Sequence, residues 1–146
     1  MIKNLGETKD TYSTIIIGGG ISALGAALYC GRFQLKTAII GEKVGGTIIL
    51  TDDIANYPGF NQISGMDLFD KIQNHVKDYD VDIISERVIK VEKCGNCFKV
   101  SSKDEKYEAK TIIFATGTEW RKLNVKGEKE FESKGVHYCA LCDAPV

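Results

Sequence analysis

The chain has 146 residues, long enough for one domain with its own core. Its 19 basic and 20 acidic side chains are interspersed and leave a net charge of −1, which excludes a basic nucleic-acid footprint or a polybasic membrane patch. Five cysteines are too odd a set for a secreted disulfide framework, and no secretion signal precedes them.

Residues 1–12 mix charges and polar groups and read as a frayed leader. Ser13 to Ile17 is apolar and β-branched, the pattern of a strand buried on both faces. Gly18-Gly19-Gly20 ends it, and a helix is predicted from Ile21, with Ile21, Leu24, Gly25 and Leu28 as its packing stripe and Cys30 as a small core residue. The uncharged run from Thr11 to Gly31 is about as long as a membrane span, but its glycines, its serines and its change of period read as strand plus helix. Thr37 to Ile40 is a second short buried strand, ended by Gly41.

A loop follows, containing Gly45-Gly46 and the turn Asn56-Tyr57-Pro58-Gly59. Ser64 and Asp67 resemble a capping box, with Asp where Glu or Gln is usual, opening a helix that carries Phe69, Ile72, Val76 and Tyr79 at helical spacing. Period 2 begins at Arg87 and Val88, breaks at Cys94-Gly-Asn-Cys97 and resumes at Phe98 to Val100, a hairpin to which Tyr107 to Ala109 adds a third strand. Thr111 to Phe114 is expected as a third buried strand, closed by Ala115-Thr116-Gly117. Trp120 is expected to cap the edge of the core, and His75 to lie on the helix surface; His137 stays open beside the late cysteines. The fold class is α/β: a Rossmann-like half-domain with a parallel sheet and helices, plus a three-stranded antiparallel meander.

Gly18-Gly19-Gly20-Ile21-Ser22-Ala23 is a G-x-G-x-x-A fingerprint with a strand before it and a helix after it. Gly18 permits the tight turn, Gly20 lets backbone approach a pyrophosphate, and Ala23 allows close packing of helix on strand. The pyrophosphate would meet the free N–H groups of the helix N-terminus. Glu42, about 20 residues beyond Gly20 and just past the second strand, can accept hydrogen bonds from ribose hydroxyls and disfavours a 2′-phosphate there. The fingerprint does not separate FAD from NAD.

Cys139-Ala-Leu-Cys142 has the spacing of a redox pair, and Asp143 follows directly as a group able to hold or give a proton. A structural pair or half of a metal site has the same spacing. Cys94 and Cys97 read as a surface turn with incidental thiols, prone to oxidation. A four-thiolate zinc site built from both pairs is the competing reading, which would make the chain a non-enzymatic dinucleotide-binding module.

Ile15 to Gly20 with Ala23, Gly45-Gly46, Asn56 to Gly59, Ala115-Thr116-Gly117 and Gly135-Val-His-Tyr-Cys-Ala-Leu-Cys-Asp143 occur in the order seen in low-molecular-weight thioredoxin reductases, which the chain resembles from about Ser13 to its last residue. The resemblance implies FAD held by the first glycine turn (Gly18 to Ala23), by Gly41, Glu42, Gly45, Gly46 and Thr47, and by Ala115 to Gly117, with Asn56 and the backbone near Val88 touching it. It further implies that Cys142 faces the flavin, that Cys139 attacks the disulfide of thioredoxin and that Asp143 donates a proton. In that family NADPH reduces FAD, FAD reduces the cysteine pair, and the pair reduces the protein substrate, with a domain rotation between the two halves. A cytoplasmic homodimer of the full-length protein is implied too.

The chain departs from the family at three points. Thr47 stands where Gln is usual, and Cys94/Cys97 is not a family feature. The NADPH domain that follows the cysteine pair in the family is lacking here. The expected division is a first segment of an FAD domain over 1–118, then a linker and the start of a redox domain over 119–146, a piece of a longer polypeptide. A flavin enzyme using the same pair with ferredoxin as donor, a dithiol oxidase, or a peroxiredoxin-reducing partner fits the same residues.

Overall fold

The computed structural model describes residues 11–132 and 134–138. The strand β1 spans Thr11–Ile17, the helix α1 Ile21–Arg32, β2 Thr37–Ile40, α2 Gly65–Val76, β3 Val81–Ile84, β4 Val88–Cys94, β5 Cys97–Ser102 and β6 Lys106–Phe114, with one 3-10 turn at Ile48–Leu50. All six strands belong to one sheet of order β3-β2-β1-β6-β5-β4. The β3, β2, β1 and β6 strands run parallel, while β4-β5-β6 is an antiparallel meander.

Alternation along β1 divides the core. Ile16 faces α1 and α2 and packs with Ala23, Leu24, Ala27, Cys30, Ile39, Phe69 and Val76. Ile15 and Ile17 lie on the other face with Tyr12, Ala38, Ile40, Val100, Tyr107 and Ala109. Cys30 is the free buried thiol that its apolar setting predicted. Complete burial of Ile15, Ile16 and Ile40 contributes roughly 1.5–3 kcal/mol each relative to exposure.

Ser64 caps α2 as its sequence predicts: its Oγ accepts a hydrogen bond from the Asp67 backbone N–H at 3.0 Å and donates to the Asp67 carboxylate at 2.7 Å. The aspartate thus bonds the cap hydroxyl, whereas the Glu or Gln of the usual box reaches back to the backbone N–H of the cap residue. Gly65, the first residue of α2, packs so closely on the 3-10 turn that a methyl group there would lie 1.8 Å from the Ile48 carbonyl oxygen.

Several sequence expectations are corrected. Thr11 and Tyr12 belong to β1, and Tyr12 is buried, its hydroxyl donating to Asp82 on β3 at 2.8 Å; residues 1–10 lie outside the described residues. The packing stripe of α1 is Ala23, Leu24, Ala27 and Cys30, since small residues let this helix sit close to the sheet; Gly25 and Leu28 stand at its margins. Tyr79 lies beyond α2 and packs on Gly31, where a methyl group would be 2.6 Å from the Tyr79 Cβ. β3 was missed altogether, because four residues interrupted by Asp82 carry little periodic signal.

The stretches 107–109 and 111–114 are one continuous strand, antiparallel to β5 through its first half and parallel to β1 along most of its length. Its end is not buried: Ile113 is 36% and Phe114 67% exposed, because among the described residues no helix covers that stretch. Trp120 is 49% exposed and does not cap the core; it stacks on Tyr138 at 6.4 Å. His75 is exposed on α2, as expected.

Candidate functional site: a glycine-lined cleft

The carboxyl ends of β1, β2 and β6 open into a cleft of about 800 Å³. Its floor is the turn that follows β1. Gly18 has φ +126°, donates its N–H to the Ile40 carbonyl at 2.9 Å and lies so near β6 that a methyl group there would be 2.0 Å from the Ala115 carbonyl oxygen. The Ala115 N–H in turn reaches the Ile17 carbonyl at 2.8 Å, so the turn is held between the ends of β2 and β6. Gly45 donates to the Gly19 carbonyl at 2.8 Å, which brings the second glycine loop onto the first.

Gly20 differs from its neighbours. Its backbone is extended, with φ −89° and ψ −175°, and a methyl group on it would meet nothing nearer than the Gly46 Cα at 3.9 Å. The protein's own packing therefore does not require glycine at this position. The open space is a cradle that a Cβ would partly fill. Directly behind it α1 begins with no side-chain cap and no acidic residue in its first turn, leaving its N–H groups and positive dipole end turned toward the cleft.

Of the residues singled out in the sequence, Gly18, Gly19, Gly20, Ile21, Ser22, Gly41, Glu42, Gly45, Gly46, Thr47, Val88, Ala115, Thr116 and Gly117 line this one cleft. Ala23 lies beneath it, fully buried between α1 and the sheet, as close helix–strand packing demands. Asn56 is exposed and does not line the cleft. Cys139, Cys142 and Asp143 lie outside the described residues.

Sequence reasoning missed the charged rim. Arg87 Nη1 stands 3.0 Å from the Glu42 carboxylate at the end of β2, joining the sheet's parallel half to the start of β4. The signal available was only a basic residue just before a predicted strand. Lys43, Glu86, Glu119, Trp120 and Lys122 also line the cleft. Lys122 Nζ lies 3.8 Å from the centre of the Tyr138 ring, over its face, and pairs with Glu132, which ties the segment leading to Cys139 onto the cleft's rim. A smaller hollow over residues 124–130 is a braced turn: both carboxylate oxygens of the buried Glu128 accept backbone N–H groups, from Leu123 at 2.8 Å and Asn124 at 2.6 Å.

The turn cysteines, expected as incidental thiols prone to oxidation, are in the oxidised state rather than free. Cys94 and Cys97 form a disulfide, which withholds both sulfurs from a four-thiolate zinc site in this state. No helix among the described residues is long and apolar enough to cross a membrane.

A glycine turn between strand and uncapped helix, an acidic residue at the end of the second strand, and a cleft at the carboxyl ends of parallel strands define a dinucleotide-binding α/β protein. Residues 12–146 match the family described as pyridine nucleotide-disulphide oxidoreductase, and the chain belongs to it. The crystal structure of thioredoxin reductase from Streptococcus pyogenes is 43% identical with a TM-score of 0.78, over 90% of this chain and 43% of that one. A ferredoxin-flavin thioredoxin reductase from Clostridium acetobutylicum is 36% identical with a TM-score of 0.72, over 94% of this chain and 48% of that one. A Staphylococcus aureus alkyl hydroperoxide reductase subunit is 35% identical over 142 residues, 96% of this chain and 28% of that protein. The chain thus spans less than half the length of each of these relatives.

Proposed function

We propose that the chain is the FAD-binding part of a flavoprotein disulfide reductase that passes electrons from NADPH to thioredoxin or a thioredoxin-like protein disulfide. The observation that carries this reading is the open space at Gly20 in front of the uncapped start of α1. The residues present fit FAD: Gly18 to Ser22 would cradle the pyrophosphate, Glu42 would accept ribose hydroxyls, and Gly41, Gly45, Gly46, Thr47, Val88 and Ala115 to Gly117 would line the remaining length. Ala23 would act from below, by fixing the helix start, and Asn56 would approach the cofactor from the neighbouring loop. Bound there, FAD supplies the two-electron relay between the nicotinamide and a dithiol.

In the same reading Cys139 is the thiolate that attacks the partner disulfide. Cys142 then attacks the Cys139 sulfur of the resulting mixed disulfide, which joins Cys139 to Cys142 and releases the partner as a thiolate, and Asp143 holds the proton that accompanies the exchange. Residues 1–118 form the first segment of the FAD domain, and 119–146 lead into the redox domain and the NADPH site. A cytoplasmic homodimer completes the proposal; that compartment keeps a catalytic dithiol in turnover. The family match over residues 12–146 and the thioredoxin reductase likeness support it.

The test is anaerobic reduction of the full-length protein by NADPH, followed by oxidised thioredoxin. Reoxidation of the flavin is expected, and its loss on replacing Cys139 or Cys142 by Ser. A colourless protein that takes up no FAD would end the proposal. A second reading, with ferredoxin as donor or a peroxiredoxin as acceptor, is favoured by the 36% identity to the ferredoxin-flavin enzyme and the 35% identity to the hydroperoxide reductase protein. Flavin that reduced ferredoxin bleaches and NADPH leaves yellow would select the first form, and turnover with a peroxiredoxin disulfide but not thioredoxin the second.

A further inference from the structure

The tip of the β4–β5 hairpin holds a sulfur pair that takes no part in the cleft. Cys94 and Cys97 face each other across the Gly95-Asn96 turn, their Cα atoms 5.0 Å apart, with Gly95 at φ +60°. Along β5, Cys97 and Lys99 share a face, and Lys99 stands opposite Glu108 of β6. Glu108 therefore projects on the sulfur-bearing side of the sheet. A carboxylate oxygen of Glu108 and both Sγ atoms lie within 4.8 Å of one another, and all three residues are half-buried.

With the Cys94–Cys97 bond opened, the same three side chains can spread to the dimensions of a metal site. Thiolates about 2.3 Å and a carboxylate oxygen about 2.0–2.2 Å from a tetrahedral ion lie roughly 3.5–4 Å from each other. The hairpin turn and the β5–β6 ladder hold the three ligands in register without help from an ion, so little ordering cost remains for binding. Two thiolates and one carboxylate suit a borderline-soft divalent cation and leave a fourth position for water.

We propose that reduction opens a Cys94–Cys97–Glu108 site for a zinc-type divalent cation, and that the disulfide is its closed state. The reductant is an external dithiol. One of its thiolates attacks a sulfur of the Cys94–Cys97 bond to give a mixed disulfide, and its second thiol displaces the remaining protein sulfur. The dithiol departs as a disulfide, and two electrons and two protons have passed to Cys94 and Cys97. Cation binding then releases those two thiol protons to solvent. The site is independent of the flavin reading, since none of its ligands lines the cleft.

The test uses the full-length protein with Cys139→Ser and Cys142→Ser, so that the late pair binds no metal. It is reduced with a phosphine and titrated anaerobically with Cd²⁺, read by thiolate-to-metal absorption in the ultraviolet, and with Zn²⁺ against a chromophoric chelator. About one equivalent is expected for the reduced protein and none for the oxidised protein. Glu108→Gln, which keeps the sheet and both thiols, is expected to weaken binding about tenfold or more, and Cys94→Ser to abolish the absorption. Binding no tighter in the reduced form than in the oxidised form would overturn the proposal, as would an unchanged affinity in Glu108→Gln.

Discussion

Gly18 and Ala115 touch so closely that a single added methyl on Gly18 would lie 2.0 Å from the Ala115 carbonyl oxygen. This contact locks the turn after β1 onto the end of β6, and it brings the two ends of the cleft floor together. Two residues on, Gly20 has open space instead. Packing therefore requires glycine at position 18 but not at position 20, where the space stays open toward the cleft.

That contrast is testable by alanine at each position. Gly18→Ala combines the clash with a left-handed φ of +126° and is expected to cost at least about 1–3 kcal/mol of stability. Gly20→Ala is expected to unfold within about 1 kcal/mol of the parent in urea yet bind FAD at least about tenfold more weakly, a loss of roughly 1.4 kcal/mol. Equal flavin affinity in Gly20→Ala and parent would show that nothing approaches that backbone.

Glu42 and Arg87 are both about half exposed or more, so their 3.0 Å ion pair contributes little to stability, roughly 0–1 kcal/mol. Glu42→Gln should leave the urea midpoint nearly unchanged while raising the FAD dissociation constant, because one of the two acceptor oxygens offered to the ribose becomes a donating NH2 and the charge that strengthens both bonds is gone. Fluorescence titration of the apoprotein measures both quantities on one sample. A drop in stability without any change in affinity would assign the pair to the fold instead.

The start of α2 offers a local test. Ser64→Ala removes the hydroxyl that accepts the Asp67 N–H, and about 1 kcal/mol of stability is expected to go with it. Leu68→Ala, one turn further and fully buried, is expected to cost roughly 2–5 kcal/mol. Denaturant midpoints that reversed this order would contradict the described packing.

On the meander, the hydrogen bond and charge of Lys90, whose Nζ lies 2.8 Å from the Glu92 carboxylate, hold the Glu92 carboxyl below its ordinary pKa; Lys99 and Lys106 add smaller attractions. A folded-state value below the unfolded one means that any stabilisation from Glu92 is present above the unfolded pKa and fades as pH falls through the folded one. Carbon-detected NMR titration should show Glu92 titrating below the free-glutamate range, and Lys90→Ala or high salt should move it back up. A titration curve that ignored both changes would contradict the pairing.

Much of the site was legible because its signals are local. A β-branched run, three glycines, a small-residue helix and a second β-branched run fix β1, α1 and β2 within a short stretch of chain, and the turn chemistry between them dictates the cleft floor. The serine cap and the Gly-Asn hairpin turn are equally local, each a choice made by neighbouring residues. The rim was illegible for the opposite reason: Arg87 meets Glu42 only because β3 carries the chain back to the cleft before β4 begins.

The order of residues alone determined where the backbone turns after β1 and β2, where α1 and α2 begin, and that the start of α1 carries no capping side chain. Only the tertiary structure decided that residues 106–114 form one strand serving two partners, that Val81–Ile84 joins the sheet at its edge, and that Glu108 meets the sulfurs of Cys94 and Cys97. Strand pairing is chosen by contacts between residues far apart in the chain, and each strand's own pattern is equally satisfied by several neighbours until the whole sheet is assembled.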